Sequence, residues 1–422
     1  MRGVFRAGTL SSKLTRTPNP ILTKARMTKE QKDKPNPKTL AVWGGEEGTE
    51  NWGATQVPVV KSVSFGYPDV ESWLEVAVGN KPGYIYGRNT NPTVEVFEEK
   101  VRILESGEAA VSFSTGMAAI SGILFSLLSP NKRAVSIKDS YGGTNLLFTD
   151  YLPKYGVVTK LCDTDDHEEI ESEIRKGCDL LYLETPTNPT LKIVDIERLS
   201  QVAHEVGAVV VVDNTFATPI NQKPLELGAD LVVHSATKFL GGHADALGGV
   251  VVGSKTIVEK IFRFKEITGG SLHPEAAYLL IRGIKTLGLR IAHQNESAML
   301  IAKFLKDHPT VEEVFYPGLA CHKQHSIATK QMKGFGGILS FKLRGGFNAV
   351  EAFLPKLRYV NLAANLGSVE TVAGTPATTS HVECTPDERK AMGIPEGLIR
   401  YSVGIEEVRD LIGDLEESLA DL

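Results

Sequence analysis

Short apolar runs alternate with stretches of helical length through the middle of the chain. After Asn91, a helical pattern over 94–105 precedes an apolar run at 109–113 and a helix of small residues that begins near Gly116. The apolar runs RAVSIKD, DLLYLETP, AVVVVDN and LVVHSA follow, mostly separated by amphipathic stretches. Near-continuous apolar strands that alternate with helices are typical of a largely parallel sheet covered on both faces. The pattern therefore predicts an α/β fold, with a large domain over 91–285.

The segments on either side of this domain have other patterns. The polar, proline-rich stretch at 27–37 suggests that the folded part begins just after it, so we expect a disordered or targeting tail over 1–38. The irregular pattern that follows suits an N-terminal arm over 39–90 rather than a packed core. Beyond the large domain, a long helical stretch precedes an α+β segment that contains the apolar run at 336–343. This change predicts a smaller C-terminal α+β domain over 286–422.

Composition and charge exclude several classes of protein. Of the 422 residues, 42% are hydrophobic and 23% are charged, which is normal for a soluble globular chain. No uninterrupted apolar run reaches about 18 residues, so no membrane span is expected. The net charge of -5 comes with no basic stripe, which argues against a nucleic-acid partner. The four cysteines are scattered, which favours a reducing, cytoplasmic location over a disulfide framework.

The first 26 residues differ from the rest of the chain. They contain six basic residues, several serines and threonines and no acidic residue. This composition is typical of an organellar transit peptide. Two alternatives are a disordered basic tail and a translation start at Met27. We therefore expect a cytoplasmic protein, or an organellar one if residues 1–26 are a transit peptide.

Polar residues follow two apolar runs at the place where ligands of α/β proteins gather, the carboxyl ends of the strands. Ser114-Thr115-Gly116-Met117 leads from a strand into a helix, and a glycine there lets backbone N–H groups approach an anion. Small residues are also common at such turns without a ligand. Asp213 ends the run AVVVVD, and a buried carboxylate needs a cation or several hydrogen bonds. The alternative is that Asp213 caps the next turn.

Lys238 follows the apolar run LVVHSA, with the hydroxyls of Ser235 and Thr237 just before it. A desolvated lysine has a lowered pKa and can attack a carbonyl carbon. The alternative is a surface lysine at the end of a strand. Asp213 and Lys238 lie 25 residues apart on successive strand ends. An enzyme that uses pyridoxal phosphate (PLP) needs a reactive lysine and an acidic partner for the ring nitrogen, so the pair indicates a PLP site.

Several separate motifs resemble those of the Cys/Met-metabolism PLP-dependent enzymes, from about residue 39 to the C-terminus. This family includes cystathionine γ-synthase, cystathionine γ-lyase, methionine γ-lyase and O-acetylhomoserine sulfhydrylase. The resemblance implies fold type I of the PLP-dependent transferases, which is like that of aspartate aminotransferase, and PLP as the cofactor. The matching motifs are Y-G-R-N-T-N-P-T at 86–93, S-T-G-M at 114–117, Y-G-G-T at 141–144, E-T-P-T-N-P-T at 184–190, D-N-T-F at 213–216, S-A-T-K-F-L-G-G-H-A-D at 235–245 and L-I-R-Y-S-V-G at 398–404.

The resemblance also implies a role for each matching residue. Lys238 would hold PLP and remove the Cα proton, Asp213 would keep the ring nitrogen protonated, and Tyr141 would stack on the ring. Arg400 would bind the carboxylate of an amino-acid substrate, next to Asn365. The other cofactor contacts implied within the chain are Gly116, Met117, Glu184, Asn188, Ser235 and Thr237.

The resemblance further implies that the protein acts as an oligomer. Tyr86 and Arg88 match residues that reach the phosphate of the PLP in a neighbouring subunit. We therefore expect a dimer that shares its active sites, assembled into a homotetramer. No metal site is expected.

Three other signals are set aside. G-x-x-x-x-G-S-K at 248–255 is close to a P-loop, but its interior is VVV and its lysine is one place late, so a strand is expected. Cys321, His322 and His325 have no second ligand pair at zinc-site spacing, which favours a loop. No G-x-G-x-x-G follows a strand, so a dinucleotide-binding oxidoreductase is not supported.

The substrate is harder to predict than the cofactor. Methionine γ-lyases carry a cysteine where Gly143 stands, which makes that activity less favoured. Enzymes that handle cystathionine usually have Glu-Ser where this chain has Ala364-Asn365, which is more similar to O-acetylhomoserine sulfhydrylases, as is the segment 377–381. The long insertions of those sulfhydrylases are absent, and G-F-G-G at 334–337 is similar to plant-type cystathionine γ-synthases.

We therefore favour γ-replacement on an O-acyl-homoserine by a sulfur nucleophile. The alternative is a γ-lyase that acts on cystathionine or a related amino acid. A catalytically inactive structural paralogue is the alternative of another class, although no expected cofactor residue is missing.

Overall fold

A computed structural model describes residues 35–46, 53–379, 389, 393–420 and 422, and its centre is a seven-stranded sheet. In the order β1-β7-β6-β5-β4-β2-β3, only β7 runs antiparallel to its neighbours. The predicted α/β fold with a largely parallel sheet is thus confirmed. The strands are β1 (Ala109–Phe113), β2 (Arg133–Ile137), β3 (Val158–Cys162), β4 (Leu180–Glu184), β5 (Val209–Asp213), β6 (Leu231–Ser235) and β7 (Gly249–Gly253).

A second, smaller sheet follows in the C-terminal part of the chain. In the order β10-β11-β12-β9-β8, only the β10–β11 pair is parallel. Its strands are β8 (Val311–Phe315), β9 (Ile338–Leu343), β10 (Asn361–Leu362), β11 (Val372–Gly374) and β12 (Leu398–Ser402). The apolar run predicted at 336–343 forms β9. The domain boundaries at 38/39, 90/91 and 285/286 stay a prediction.

Helices cover both sheets. They are α1 (Pro37–Trp43), α2 (Val70–Ala77), α3 (Pro92–Glu105), α4 (Gly116–Leu127), α5 (Gly142–Leu146), α6 (Leu152–Lys154), α7 (His167–Arg175), α8 (Ile196–Glu205), α9 (Thr218–Asn221), α10 (Lys255–Thr268), α11 (Pro274–Ile284), α12 (Leu287–Asp307), α13 (His325–Gln331), α14 (Gly346–Phe353) and α15 (Val408–Leu419). Short 3-10 turns cover Pro224–Leu227, Leu354–Lys356 and Pro376–Thr378, and a π-helical turn covers Leu147–Tyr151. Within the described ranges, no helix is long and apolar enough to cross a membrane.

The valine run of β5 explains how the large sheet is held between two helical layers. Val211 packs in the cluster that contains residues of α4 and α10, whereas Val210 and Val212 pack on the opposite face with α7 and α8. All three side chains are fully buried. Burial of each contributes about 1.5–3 kcal/mol, which is why a strand covered on both faces is apolar at every position.

The register of the parallel strands brings polar residues to one edge of the sheet. Glu184 at the end of β4 is paired with Asp213 at the end of β5, and Asp213 is followed by Asn214, which bonds to β6. Ser235 ends β6 at the same edge. Since every one of these strands points the same way, their carboxyl ends form a common site.

Two buried polar side chains attach the N-terminal part of the chain to α3. Lys100 is fully buried and donates to the carbonyl oxygens of Ala41 and Val42, both at 3.2 Å. Asn91 caps α3 by accepting from the N–H groups of Thr93 and Val94. The amide nitrogen of Asn91 also donates to the carbonyl oxygen of Val60 at 2.8 Å.

Asn91→Ala should lower the free energy of unfolding by about 1–2 kcal/mol, because α3 loses its N-cap and Val60 loses a donor. Asn91→Asp keeps the acceptor of the cap and should lose less. Urea unfolding followed by circular dichroism measures both. An Asn91→Ala variant as stable as the wild type would show that neither contact stabilises the fold.

Candidate active site at the ends of the central strands

A cavity of about 270 Å³ lies at the carboxyl ends of the central strands. A larger groove of about 700 Å³ between the N-terminal segment and α3 contains none of the predicted site residues. The predicted site residues that line the smaller cavity are Gly116, Met117, Tyr141, Glu184, Asn188, Asp213, Ser235, Thr237, Lys238 and Arg400.

Lys238 follows β6 and places its amine inside this cavity. Its Nζ donates to Oδ1 of Asn365 at 2.9 Å. Burial, followed by the positive charge of Arg400, lowers the pKa of Lys238 to about 8. An amine with such a pKa becomes neutral from about pH 8 upwards, well below the pH that an ordinary lysine needs, and can then act as a nucleophile or a base.

Two buried carboxylates line the same cavity. Asp213 accepts from the N–H of Thr215 at 3.0 Å and from the hydroxyl of Tyr182 at 3.3 Å. Oε2 of Glu184 accepts from the N–H of Tyr141 at 2.8 Å. Burial is the main cause that raises the pKa of Asp213, and burial together with the charge of Asp213 raises the pKa of Glu184 well above its usual value.

A cation next to Asp213 would remove the cost of burying its charge. No salt bridge in the described part of the chain involves Asp213 or Glu184. A buried carboxylate is stabilised when an opposite charge lies next to it. The protonated ring nitrogen of PLP supplies such a charge, so the pair of buried carboxylates fits this cofactor.

The start of α4 fits the phosphate of the cofactor. Thr115 caps this 12-residue helix by accepting from the N–H of Ala118 at 3.0 Å. A Cβ at Gly116 would lie 2.7 Å from Cβ of Ser235, so only glycine lets β6 approach the helix this closely. The hydroxyl of Ser235 thus lies near the positive end of the helix dipole, a preferred place for a phosphate, and Thr237 lines the same cavity.

Arg400 projects from β12 of the smaller sheet into the same cavity. Its Nη1 donates to Oδ1 of Asn188 and its Nη2 to the carbonyl oxygen of Asn365, both at 3.1 Å. Burial lowers the pKa of Arg400 to about 10, which leaves it charged at neutral pH. Among the described residues no carboxylate forms an ion pair with it, so this planar cation is available for an anionic substrate group.

Of the predicted site residues Tyr141, Tyr86 and Arg88, only Tyr141 lines the cavity. Tyr141 lies at the N-cap of α5, is 43% exposed and lines the cavity. Tyr86 and Arg88 do not line the cavity within the chain. The guanidinium of Arg88 lies 5.1 Å from the centre of the Tyr86 ring, and Tyr86 is 41% exposed. Their service to a neighbouring subunit stays a prediction.

Sequence reasoning missed the two residues that bond to Asp213. Thr215 belongs to the D-N-T-F motif, and Tyr182 interrupts the apolar run DLLYLETP. A buried tyrosine hydroxyl normally finds a polar partner, so Tyr182 could have been found by this signal. Ser380 and His381 of the segment 377–381 lie outside the described residues, as does the tail 1–34.

Three features of this cavity together fit a PLP-dependent α/β enzyme. They are the lysine amine with its lowered pKa, the two buried carboxylates and the helix that begins at Gly116. The chain belongs to the Cys/Met metabolism PLP-dependent enzyme family, whose model matches residues 38–420. The predicted family and cofactor are thereby confirmed. The family chemistry is PLP-dependent γ-elimination or γ-replacement.

Both lyases and synthases are similar to this chain. It is 44% identical over 372 residues to an L-methionine gamma-lyase from Fusobacterium nucleatum subsp. polymorphum, covering 87% of this chain and 94% of the relative. It is 42% identical to a cystathionine gamma-lyase from Bacillus subtilis (strain 168), covering 91% and 99%. A crystal structure of cystathionine gamma synthase from Xanthomonas oryzae pv. oryzae, in complex with aminoacrylate and cysteine, matches with a TM-score of 0.87. Its sequence identity is 38%, and the match covers 92% of this chain and 98% of that chain.

Attachment of PLP to the cofactor-free enzyme should become faster through about pH 8. Because the lowered pKa of Lys238 is about 8, the amine is protonated and unreactive below this pH and neutral above it. The rate constant is measured from the visible absorbance after mixing with PLP. Arg400→Met removes a positive charge and should move the midpoint upwards, whereas Lys238→Ala should show no such absorbance. A wild-type midpoint near 10.4, the ordinary value for lysine, would contradict the assignment.

Proposed function

We propose that the enzyme catalyses γ-elimination on an amino acid that carries an uncharged sulfur substituent at Cγ. This reverses the preference for γ-replacement that the sequence suggested, and the lyases among the relatives support the reversal. The C–S bond breaks, one water is consumed, and a thiol, ammonia and a 2-oxo acid are released.

The observation that carries this proposal is the lack of spare charge among the described residues that line the cavity. Its charged lining residues are Glu184, Asp213, Lys238 and Arg400. The carboxylates face the cofactor, Lys238 is assigned to the reacting Cα, and Arg400 is assigned to the substrate carboxylate. Among the lining residues that the structure describes, no further charge could pair with a distal ammonium or a second amino acid, whereas an alkyl sulfide needs no such partner.

The remaining lining is uncharged and suits such a substituent. Gly143 leaves room between Tyr141 and Met117, because a Cβ there would lie 2.9 Å from the ring of Tyr141 and 3.1 Å from the sulfur of Met117. Tyr141 and Met117 both line the cavity, so the missing Cβ gives these two side chains more room to accommodate a substrate. The uncharged residues that line the cavity include Met117, Ile120, Phe216, Leu247, Ala364, Leu366 and Thr379.

Three of the charged lining residues, Arg400, Lys238 and Asp213, have a part in the proposed reaction. Arg400 binds the substrate carboxylate and orients Cα towards Lys238. The Nζ of Lys238 removes the Cα proton, and Asn365 holds this nitrogen in place when no substrate is bound. Asp213 would pair with the ring nitrogen of PLP and hold it in the protonated form. With PLP bound, its ring takes up the electron pair that the departing Cα proton leaves.

A second candidate is γ-replacement on an O-acyl-homoserine with a small nucleophile such as sulfide. The observation in its favour is Ala364, which stands in the cavity and leaves no charge for the distal end of cystathionine. An acyl ester and sulfide fit this lining as well as a thioether does. Only the product distinguishes the two reactions.

We expect L-methionine to be cleaved with a higher kcat/KM than L-cystathionine, and faster than O-acetyl-homoserine is converted by sulfide. Ala364→Glu should shift the methionine-to-cystathionine ratio towards cystathionine by about 10-fold or more, since it adds a partner for the distal ammonium. Ala363→Glu is the matched control and should leave the ratio unchanged, because Ala363 does not line the cavity. Faster conversion of acyl-homoserine plus sulfide would favour the second candidate, and a wild-type preference for cystathionine would contradict the uncharged substituent.

Within one chain, the described part of the cavity lining offers no free cation to a phosphate. Lys238 and Arg400 are the cationic residues of its lining, and both are assigned to other groups. Arg88 lies outside this cavity, and its carbonyl oxygen is fixed by the hydroxyl of Ser271 at 2.7 Å. We propose that Tyr86 and Arg88 complete the site of a second subunit.

Mixing inactive Arg88→Ala and inactive Lys238→Ala chains should restore part of the activity. In the hybrid dimer, one site carries both substitutions and the other carries both wild-type residues, so one of its two sites can work. Activity is measured after the chains are dissociated and reassembled, with each variant alone as control. No recovery in verified heterodimers would show that each site is built from one chain.

A further inference from the structure

Arg290 on α12 is a buried cation whose donors are taken up by backbone carbonyl groups. It is 4% exposed. Its Nη1 donates to the carbonyl oxygen of Phe239 at 2.8 Å, and its Nη2 to those of Leu240 at 3.3 Å and Gly283 at 2.9 Å. Its Nε donates to the hydroxyl of Thr286 at 3.1 Å. Two of these four hydrogen bonds hold the planar group against the two residues that follow Lys238, and the other two hold it against Gly283 and Thr286.

Burying the charge of the Arg290 guanidinium is unfavourable unless its hydrogen bonds offset the cost. In the described part of the chain, no acidic residue forms a salt bridge with Arg290. Burial lowers the pKa of Arg290 to about 10, which still leaves it protonated at neutral pH. A charged donor makes stronger hydrogen bonds to carbonyl groups than a neutral one. The arginine therefore holds this turn more firmly than a neutral side chain could.

The turn after Lys238 is built around the guanidinium. The N–H of Gly242 donates to the carbonyl oxygen of Lys238 at 2.8 Å, which closes the turn. Gly242 has a φ of 72°, and a Cβ there would lie 2.3 Å from Nη1 of Arg290. A Cβ at Gly283 would lie 2.0 Å from the carbonyl oxygen of Gly241. Glycine at these positions lets α11, α12 and the turn approach one another.

The opposite side of the turn contacts the segment that carries Asn365. The N–H of Val369 donates to the carbonyl oxygen of Gly242 at 2.9 Å. A Cβ at Gly367 would lie 2.8 Å from the backbone nitrogen of Phe239. The turn is therefore held between Arg290 on one side and the segment 365–369 on the other, and that segment provides the partner of the Lys238 amine.

We propose that Arg290 is a positioning residue that fixes the backbone after Lys238 and thereby aims the lysine amine at the cofactor and at the Cα proton. The proposal rests on Lys238 as the lysine that holds PLP. Arg290 does not line the cavity and is not a catalytic residue. A merely structural arginine would stabilise the fold without changing the reactivity of the lysine.

The test uses Arg290→Gln, Arg290→Lys and Gly242→Ala in the full-length enzyme. Arg290→Gln loses the charge, Arg290→Lys keeps the charge but cannot span the same acceptors, and Gly242→Ala displaces the guanidinium without removing it. Arg133→Gln is the matched control. Arg133 also donates to two backbone carbonyl groups, those of Glu173 and Gly177, but lies at the opposite end of the strands.

The first readout is the fraction of subunits in which borohydride fixes PLP to the Lys238 peptide, measured by mass spectrometry at limiting PLP. The second is kcat and KM, and the third is the midpoint of thermal unfolding. We expect all three test variants to fix less PLP and to lose about 10–100-fold in kcat, with KM changed by less than about threefold. Arg133→Gln should unfold at a lower temperature but fix PLP and turn over like the wild type.

Test variants that match Arg133→Gln, with lower thermal stability but unchanged PLP fixation and kcat, would overturn the proposal. If Arg290→Gln does not fold, Arg290→Lys and Gly242→Ala decide by the same criteria. Labelling of another lysine in the wild type would instead contradict the role of Lys238. Failure of the present inference and failure of the proposed site are thus told apart.

Discussion

The buried carboxylate of Asp213 is the constraint on which the rest of the site depends. It ends a strand of valines, where burial of an unpaired charge is unfavourable. The hydroxyl of Tyr182 and the N–H of Thr215 offset only part of this cost, since burial still raises the pKa of Asp213. A cationic ring nitrogen makes the carboxylate favourable, so the free protein is prepared for a ligand with a positive charge at this point.

The cavity also contains two cationic side chains, those of Lys238 and Arg400. Lys238 and Arg400 come from different sheets and meet at Asn365, whose side-chain oxygen accepts from the lysine and whose carbonyl oxygen accepts from the arginine. The positive charge of Arg400 adds to the effect of burial in lowering the pKa of the lysine amine. One asparagine therefore joins the residue proposed to bind the substrate with the residue proposed to remove its proton.

Much of the large sheet and of the cofactor site could be predicted from the sequence, because both depend on local patterns. Apolar runs gave the strands, and the residues after them gave Asp213 and Lys238. The direction of β7 could not be read from its valines. It depends on the connection after β6, which contains no helix and so returns antiparallel. The contact of Lys238 with Asn365 spans 127 residues and arises only from the packing of the two sheets.

The same distinction explains why the substrate was predicted less well than the cofactor. The cofactor needs charges, and a charge placed next to an apolar run is visible in a sequence. The proposed sulfur substituent needs the absence of charge and a free volume, and these depend on Leu247 and Ala364 in the lining and on Gly143 next to the lining residues Tyr141 and Met117. These residues come from separate parts of the chain, and none of them alone indicates a ligand. Specificity that arises from missing atoms becomes visible only when the cavity is assembled.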